Sequence, residues 1–206
     1  KWIMIVKSFN PDAKEVSQIA DDPDLLADDD VPGAIDAEAF DDLFESLTKA
    51  VEEADLTSEV ELFKGDGYTF ITFHDNVFFD GDSSVIKEEG TDILAQFASI
   101  MSGVDSSIKE VRVLGHTTQA DPNIPNNPEN DRLLSSERAA RVVAFIQQRT
   151  TVSADKLVSE GYGQFRPIAP FDTAENRAKN RRVEILITKS DAVEHSLEEY
   201  YQQMNR

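Results

Sequence analysis

The chain has 206 residues and a formal net charge of −20, from 40 Asp and Glu against 20 Lys and Arg, with 40% hydrophobic residues and no Cys. That length and hydrophobicity suit one globular domain with an appendage, and the acidity disfavours nucleic acid and anionic lipid, whose phosphates need clustered Lys and Arg. Without Cys, this stretch has no disulfides, Cys-ligated zinc, iron–sulfur clusters, thiol catalysis or lipid attachment through Cys.

The opening KWIMIVKSF places Trp2, Ile3, Ile5, Val6 and Phe9 at roughly helical spacing. This predicts a short amphipathic helix within residues 1–20 whose apolar stripe needs cover from the domain, a membrane surface or a partner protein. The apolar run there, Ile3 to Val6, is far shorter than the ~20 residues that span a bilayer or the ~7–15 of a signal-peptide core. The first residues are Lys1-Trp2 with no initiator Met, so further sequence is expected upstream.

Residues 21–62 hold sixteen Asp or Glu against one Lys. Within them DDPDLLADDDVPG has too little apolar surface to offset the entropy of ordering, and residues 21–37 read as a disordered acidic linker. The run lacks the central Gly and closing Glu of an EF-hand loop, so calcium binding is not expected. Over 38–57, Ala39, Phe40, Leu43, Phe44, Leu47, Ala50, Val51 and Ala54 recur at three and four. They predict a helix ending near Asp55 that docks or dimerises through this stripe.

The compact domain is expected over 58–190. VELFKGDGYTFITF alternates across Gly65-Asp66-Gly67 and reads as a hairpin. Ile86, Ile93, Leu94, Phe97, Ala98, Ile100 and Met101 mark a helix, and VRVLGH at 111–116 a short buried strand. A helix follows from Asp131 to Arg149 with Ala139, Val142, Val143 and Ile146 as its core stripe. Strands at Leu157 to Gly161 and Arg182 to Thr188 complete the set, and a polar helix from His195 to Asn205 falls in the terminal segment 191–206. Strands alternating with helices predict an α/β or α+β sandwich, helices packed on a sheet.

The strand at 111–116 runs into GHTTQADPNIPNNPEND, stiffened by Pro122, Pro125 and Pro128, and then directly into a helix. A helix N-terminus beside a polar loop offers N–H donors and partial positive charge to a carboxylate. Arg138, in the second turn, lies about 90° from the core stripe on a helical wheel, so its guanidinium is expected at the helix edge beside the loop. A guanidinium holds a carboxylate through two parallel hydrogen bonds. A plain surface pair, for instance with Glu175, is the alternative. His116 has no His or Cys at ligand spacing and reads as a strand-end hydrogen-bonding group. Asn180, Arg181 and Arg182 either reach a ligand or guard a sheet edge, and Gly161-Tyr162-Gly163 reads as a turn.

GHT at 115–117, LSSERAARVVAFI at 134–146, GYGQFRP at 161–167 and NRAKNRRVEI at 176–185, in this order, resemble the OmpA-like peptidoglycan-binding domain over roughly Tyr68 to Thr188. Within that superfamily the chain is similar to the extracytoplasmic region of MotB-type flagellar stator proteins: KWIMIVKSF resembles their plug segment, and NRAKNRRVEI is close to their usual form.

The resemblance implies a mixed four- to five-stranded sheet and a non-catalytic module that grips diaminopimelate in wall stem peptides through a loop Asp and a helix Arg. Arg138 matches that Arg, whereas Thr118 stands at the Asp position and Asp131 where an Asn usually opens the helix. Thr cannot form an ion pair with the ligand's ammonium group, so Asp131 or Asp121 is expected to supply the negative charge, or else wall binding is weak or directed at a different stem. The implied ligand-binding set is Arg138, Thr118, Asp131, Thr117, Leu134, Asn180 and Arg181, with Trp2, Ile3, Ile5, Val6 and Phe9 as the plug. Also implied are a homodimer, a MotA-type channel subunit met through an upstream single-pass transmembrane helix, a domain outside the cytoplasm at the cell wall, and no cofactor or metal. The alternatives are a peptidoglycan-associated lipoprotein or outer-membrane OmpA-like anchor, and a wall hydrolase using Asp121 and Asp131, although nothing in the sequence holds those two carboxylates on rigid elements.

Overall fold

The computed structural model describes residues 32–204, so the expected plug residues Trp2, Ile3, Ile5, Val6 and Phe9 and the acidic stretch through Val31 lie outside the described residues. Of the chain's two compact units, Lys1–Ile35 and Asp36–Arg206, the first is described only at residues 32–35, which are helical, and the second carries the fold.

Helix α1 (Pro32–Glu53) starts at a proline rather than at residue 38. Proline is well suited to a first helical turn, where its missing N–H has no partner to lose, and residues 32–37 are therefore helical, not linker. Phe40, Leu43, Leu47 and Val51 are buried in the main core, so the stripe of α1 docks on the domain.

Strands β1 (Val60–Gly65) and β2 (Tyr68–His74) form the expected hairpin. With β3 (Ile108–His116), β4 (Leu157–Gly163) and β5 (Arg182–Lys189) they build one five-stranded sheet in the order β1-β2-β5-β3-β4. All neighbours are antiparallel except β3 and β4. A parallel pair needs a crossover connection, supplied by helix α4 (Pro128–Gln147) and the long loop before it. Strands β2 and β5 are buried on both faces almost throughout, which masks the period-two alternation of a half-exposed strand.

The short helix α2 (Asp75–Phe78) follows β2 directly, and helix α3 (Glu88–Ser102) precedes β3. One face of the sheet, with Ile71, Phe73, Val113 and Ile185, is covered by α1, α3 and α4. A short helix, α5 (Ala174–Asn180), leads into β5. The last helix, α6 (Leu197–Gln203), is not simply polar: Leu197, Tyr200 and Tyr201 pack on Tyr68, Phe70, Leu114 and Leu186 and seal the other face. A capping box of Ser196 and Glu199 starts it.

Two glycines let α4 settle closely on the ends of β3 and β4. A Cβ on Gly115 would stand 2.1 Å from the Ser135 carbonyl oxygen, and one on Gly161 would stand 2.5 Å from the Ser136 nitrogen. This close approach brings the first turns of α4 over the sheet end where the site lies.

Candidate functional site

His74 at the end of β2 and His116 at the end of β3 both pair with Arg182 at the start of β5. The sheet therefore gathers α2, the loop after β3, the start of α4 and the end of α5 at one edge. There they enclose an open cleft of about 1030 Å³ whose lining includes Asp75, Thr118, Asp131, Arg138, Arg177 and Arg181.

The first turn of α4 is not an open anion site. The Asn127 side chain caps the helix, accepting from the Glu129 and Asn130 backbone N–H groups at 3.0 and 3.1 Å, and the Asp131 N–H donates to the Asn127 carbonyl at 3.0 Å. With these donors satisfied inside the chain, ligand recognition rests on side chains.

Arg138 does not emerge at the helix edge: it is 1% exposed. Its Nε donates to the Ser83 carbonyl at 2.9 Å and its Nη2 to the Gly81 carbonyl at 2.5 Å. Its Nη1 lies 2.9 Å from Asp75 Oδ1, and the guanidinium sits 5.0 Å from the centre of the Phe79 ring. The acid beside Arg138 is thus Asp75, in place of the surface pairing with Glu175 weighed above. Burial raises the Asp75 pKa from 3.8 to about 6, against the lowering influence of Arg138, Arg181 and Lys87. Burial also pushes the Arg138 pKa down, against Asp75 and Asp82. Each partner thus retains a desolvation cost that the pair does not fully offset.

Asp131 is engaged elsewhere. Its carboxylate accepts from Thr117 Oγ1 at 2.7 Å, Asn126 Nδ2 at 3.0 Å and the Gln164 backbone N–H at 2.6 Å. Asp131 and Thr117 line the cleft and also bracket the loop, α4 and the end of β4. Asp121 is exposed, accepts from the Asn123 N–H at 2.7 Å and does not line the cleft, so it is not brought to Arg138 either.

Thr118, Leu134 and Arg181 do line the cleft. Asn180 does not: it is fully buried, its Oδ1 accepts from the Ile168 and Ala169 N–H groups at 2.8 and 2.9 Å, and its Nδ2 donates to the Ala169 carbonyl. Arg182 neither reaches the cleft nor guards an edge, because β5 is an inner strand; its Nε donates to Glu184 Oε1 at 2.7 Å. His116 has the expected strand-end role, its Nε2 standing 3.0 Å from Glu184 Oε2. Burial pushes the His116 pKa down, despite Glu184.

Asp75 was missed from sequence because it is a single acid at the end of a strand far from the motifs. The register that sets both β2 and β3 against Arg182 would have revealed it. With arginines 138, 177 and 181 and aspartates 75, 82 and 131 in its walls, the cleft can hold a group that carries both a carboxylate and an ammonium.

A family model described as the OmpA family matches residues 78–181. Motility protein B of Bacillus subtilis is 27% identical over 161 residues, covering 78% of this chain and 60% of that protein. Outer membrane protein A of Bordetella avium is 35% identical over 120 residues, covering 58% of each. This chain therefore spans about three fifths of the length of these curated relatives. Among solved structures, the periplasmic domain of Helicobacter pylori MotB aligns with a TM-score of 0.53 at 27% identity, covering 70% of this chain and 86% of that one. A putative MotB-like protein from Desulfovibrio vulgaris has a TM-score of 0.61 at 17% identity, covering 78% and 99%, a likeness of fold alone. With the family model matching half of its residues, the chain belongs to the OmpA family, and it resembles MotB-type proteins over most of its length.

Proposed function

We propose that this chain is the wall-gripping, non-catalytic part of a MotB-type stator subunit in a flagellar motor, located outside the cytoplasm at the cell wall. The observation that carries this reading is the cleft at the sheet end in which the buried Arg138 and Asp75 face each other, in a chain of the OmpA family. Arg138 has five N–H donors and three partners in the chain, which leaves donors for a carboxylate of the wall's stem peptide. Anchoring is then mechanical: the held peptide keeps the stator still while ion flow in other parts of the assembly drives the rotor for motility and chemotaxis.

In this reading the stator works as a homodimer, is joined to a MotA-type channel subunit through a transmembrane helix, and is plugged by Trp2, Ile3, Ile5, Val6 and Phe9. Deleting residues 1–10 in the intact protein is expected to cause ion leak and slowed growth; normal growth would refute the plug. A lipoprotein or outer-membrane OmpA-like anchor shares the same grip, and the match to Bordetella avium outer membrane protein A favours it. The match to motility protein B extends over more of the chain, 78% against 58%, and supports the stator reading.

The direct test is co-sedimentation with purified sacculi. The wild-type chain is expected to be retained and Arg138→Ala to lose retention by at least tenfold, as for the loss of a charge-assisted, paired contact. Retention unchanged in a folded Arg138→Ala variant would defeat the reading, and falling turbidity of the sacculi would revive the hydrolase.

A further inference from the structure

One wall of the cleft is a loop with little packing to hold it. Residues 119–125, after β3, are exposed apart from the half-buried Gln119, and they contribute no residue to either apolar core. Thr118, Gln119, Ala120 and Asn126 nevertheless line the cleft. The backbone bond inside the loop, from the Ile124 N–H to the Asp121 carbonyl, is long at 3.4 Å. Pro122 and Pro125 fix local angles, but a fixed angle does not attach the loop to the domain.

Two amide side chains make that attachment. Asn126 Nδ2 donates to the Thr118 carbonyl at 2.7 Å and to Asp131 Oδ1 at 3.0 Å, and Asn126 Oδ1 accepts the Ala120 N–H at 3.0 Å. One side chain thus joins both ends of the loop to the start of α4. Gln164, the residue after β4, is 4% exposed and bonds twice to the main chain of Asn126: its Oε1 accepts the Asn126 N–H at 3.4 Å and its Nε2 donates to the Asn126 carbonyl at 3.3 Å. Gln164 does not line the cleft, so what its side chain contributes to binding passes through Asn126.

We infer that Gln164 and Asn126 are a positioning pair that presets the loop wall of the cleft in its ligand-ready shape, Gln164 acting through Asn126. This rests on the wall-peptide reading of the cleft and deepens it, by naming the groups that hold the loop in place. A loop that is ordered only when the ligand arrives loses conformational entropy at that moment and weakens affinity, whereas a loop fixed beforehand does not. Because the pair lies outside both apolar cores, breaking it frees the loop while the packed sheet and helices stay folded.

The test uses the whole chain with purified sacculi and reads retention, thermal melting, and hydrogen exchange at the Asn123 and Ile124 amides, which bond to Asp121 and to neither member of the pair. Gln164→Ala is expected to lower retention on the order of tenfold, as for the loss of one or two net hydrogen bonds, and to speed exchange at both amides with the melt still cooperative. Saturating sacculi should slow that exchange again in the variant, an effect that a loop with a purely structural role would not show. Faster exchange with retention equal to wild type overturns the inference, because the loop is then free without loss of grip. Exchange equal to wild type overturns it as well, because the pair then holds nothing, and so does exchange that sacculi fail to slow. Should Gln164→Ala fail to fold, Asn126→Ala decides by the same readouts. Absence of wild-type retention defeats the wall reading itself, whereas wild-type retention with any of the overturning exchange results defeats only the positioning pair.

Discussion

The carboxylate of Asp131 accepts the backbone N–H of Gln164 at 2.6 Å, which ties the first turn of α4 to the residue after β4. The same carboxylate holds Thr117 Oγ1, so one acid brackets three segments around the cleft. Asp131→Ala leaves those donors without an acceptor and is expected to lower stability by about 3 kcal/mol, while Asp131→Asn, which keeps one acceptor oxygen, costs about half as much. Urea unfolding of both variants checks this. Equal, negligible losses would show that the bracket contributes nothing.

Packing of α4 on the sheet depends on missing side chains. Gly115→Ala would drive its Cβ to 2.1 Å from the Ser135 carbonyl, a backbone atom that cannot rotate away. A loss of about 1–3 kcal/mol or more is expected, with weaker wall retention as Arg138 shifts with the helix. Gly103→Ala is the control: its Cβ would meet nothing closer than the Ile100 carbonyl at 3.4 Å, so its melting temperature should stay near that of wild type.

The raised pKa of Asp75, about 6 against 3.8, has a consequence for stability. The folded state holds this proton more tightly than the unfolded chain, so the stability contributed by Asp75 is fully present below about pH 4 and is lost as pH rises through about 6. The stability difference between wild type and Asp75→Asn should therefore shrink from pH 4 to pH 7, as read from denaturant titrations at each pH. A flat stability profile would place the Asp75 titration elsewhere.

On the opposite face, the Tyr201 hydroxyl donates to the buried Glu184. Burial opposes ionisation of Glu184, yet Arg182 and His116 outweigh it and hold the carboxyl well below the usual carboxylate range. Tyr201→Phe takes a donor from a buried anion and is expected to cost about 1–2 kcal/mol, measured by urea unfolding. Sacculus retention should not change, because neither residue lines the cleft. Reduced retention with unchanged stability would link α6 to the site.

Much of the architecture was legible in residue order. The stripe of α1, the β1–β2 hairpin and the core positions of α4 follow from three-and-four or two-residue repeats, which report the buried face of an element without knowledge of its partner. Arg138 was singled out through its motif, but its burial was not legible, because it depends on what packs against α4. Helix α6 was read as polar because three buried residues in a seven-residue helix make too short a pattern to stand out.

The sequence by itself determined which faces are apolar, where the acidity is concentrated and which arginine stands at the motif position. Only the tertiary structure decided which acid meets that arginine. Asp75 reaches Arg138 because the ends of β2 and β3 share one partner on β5, and Asp131, which lines the same cleft, also holds the turn after β4. Periodicity is local and reports burial, whereas the meeting of two charges depends on strand register across the sheet, a long-range quantity that no window of neighbouring residues contains.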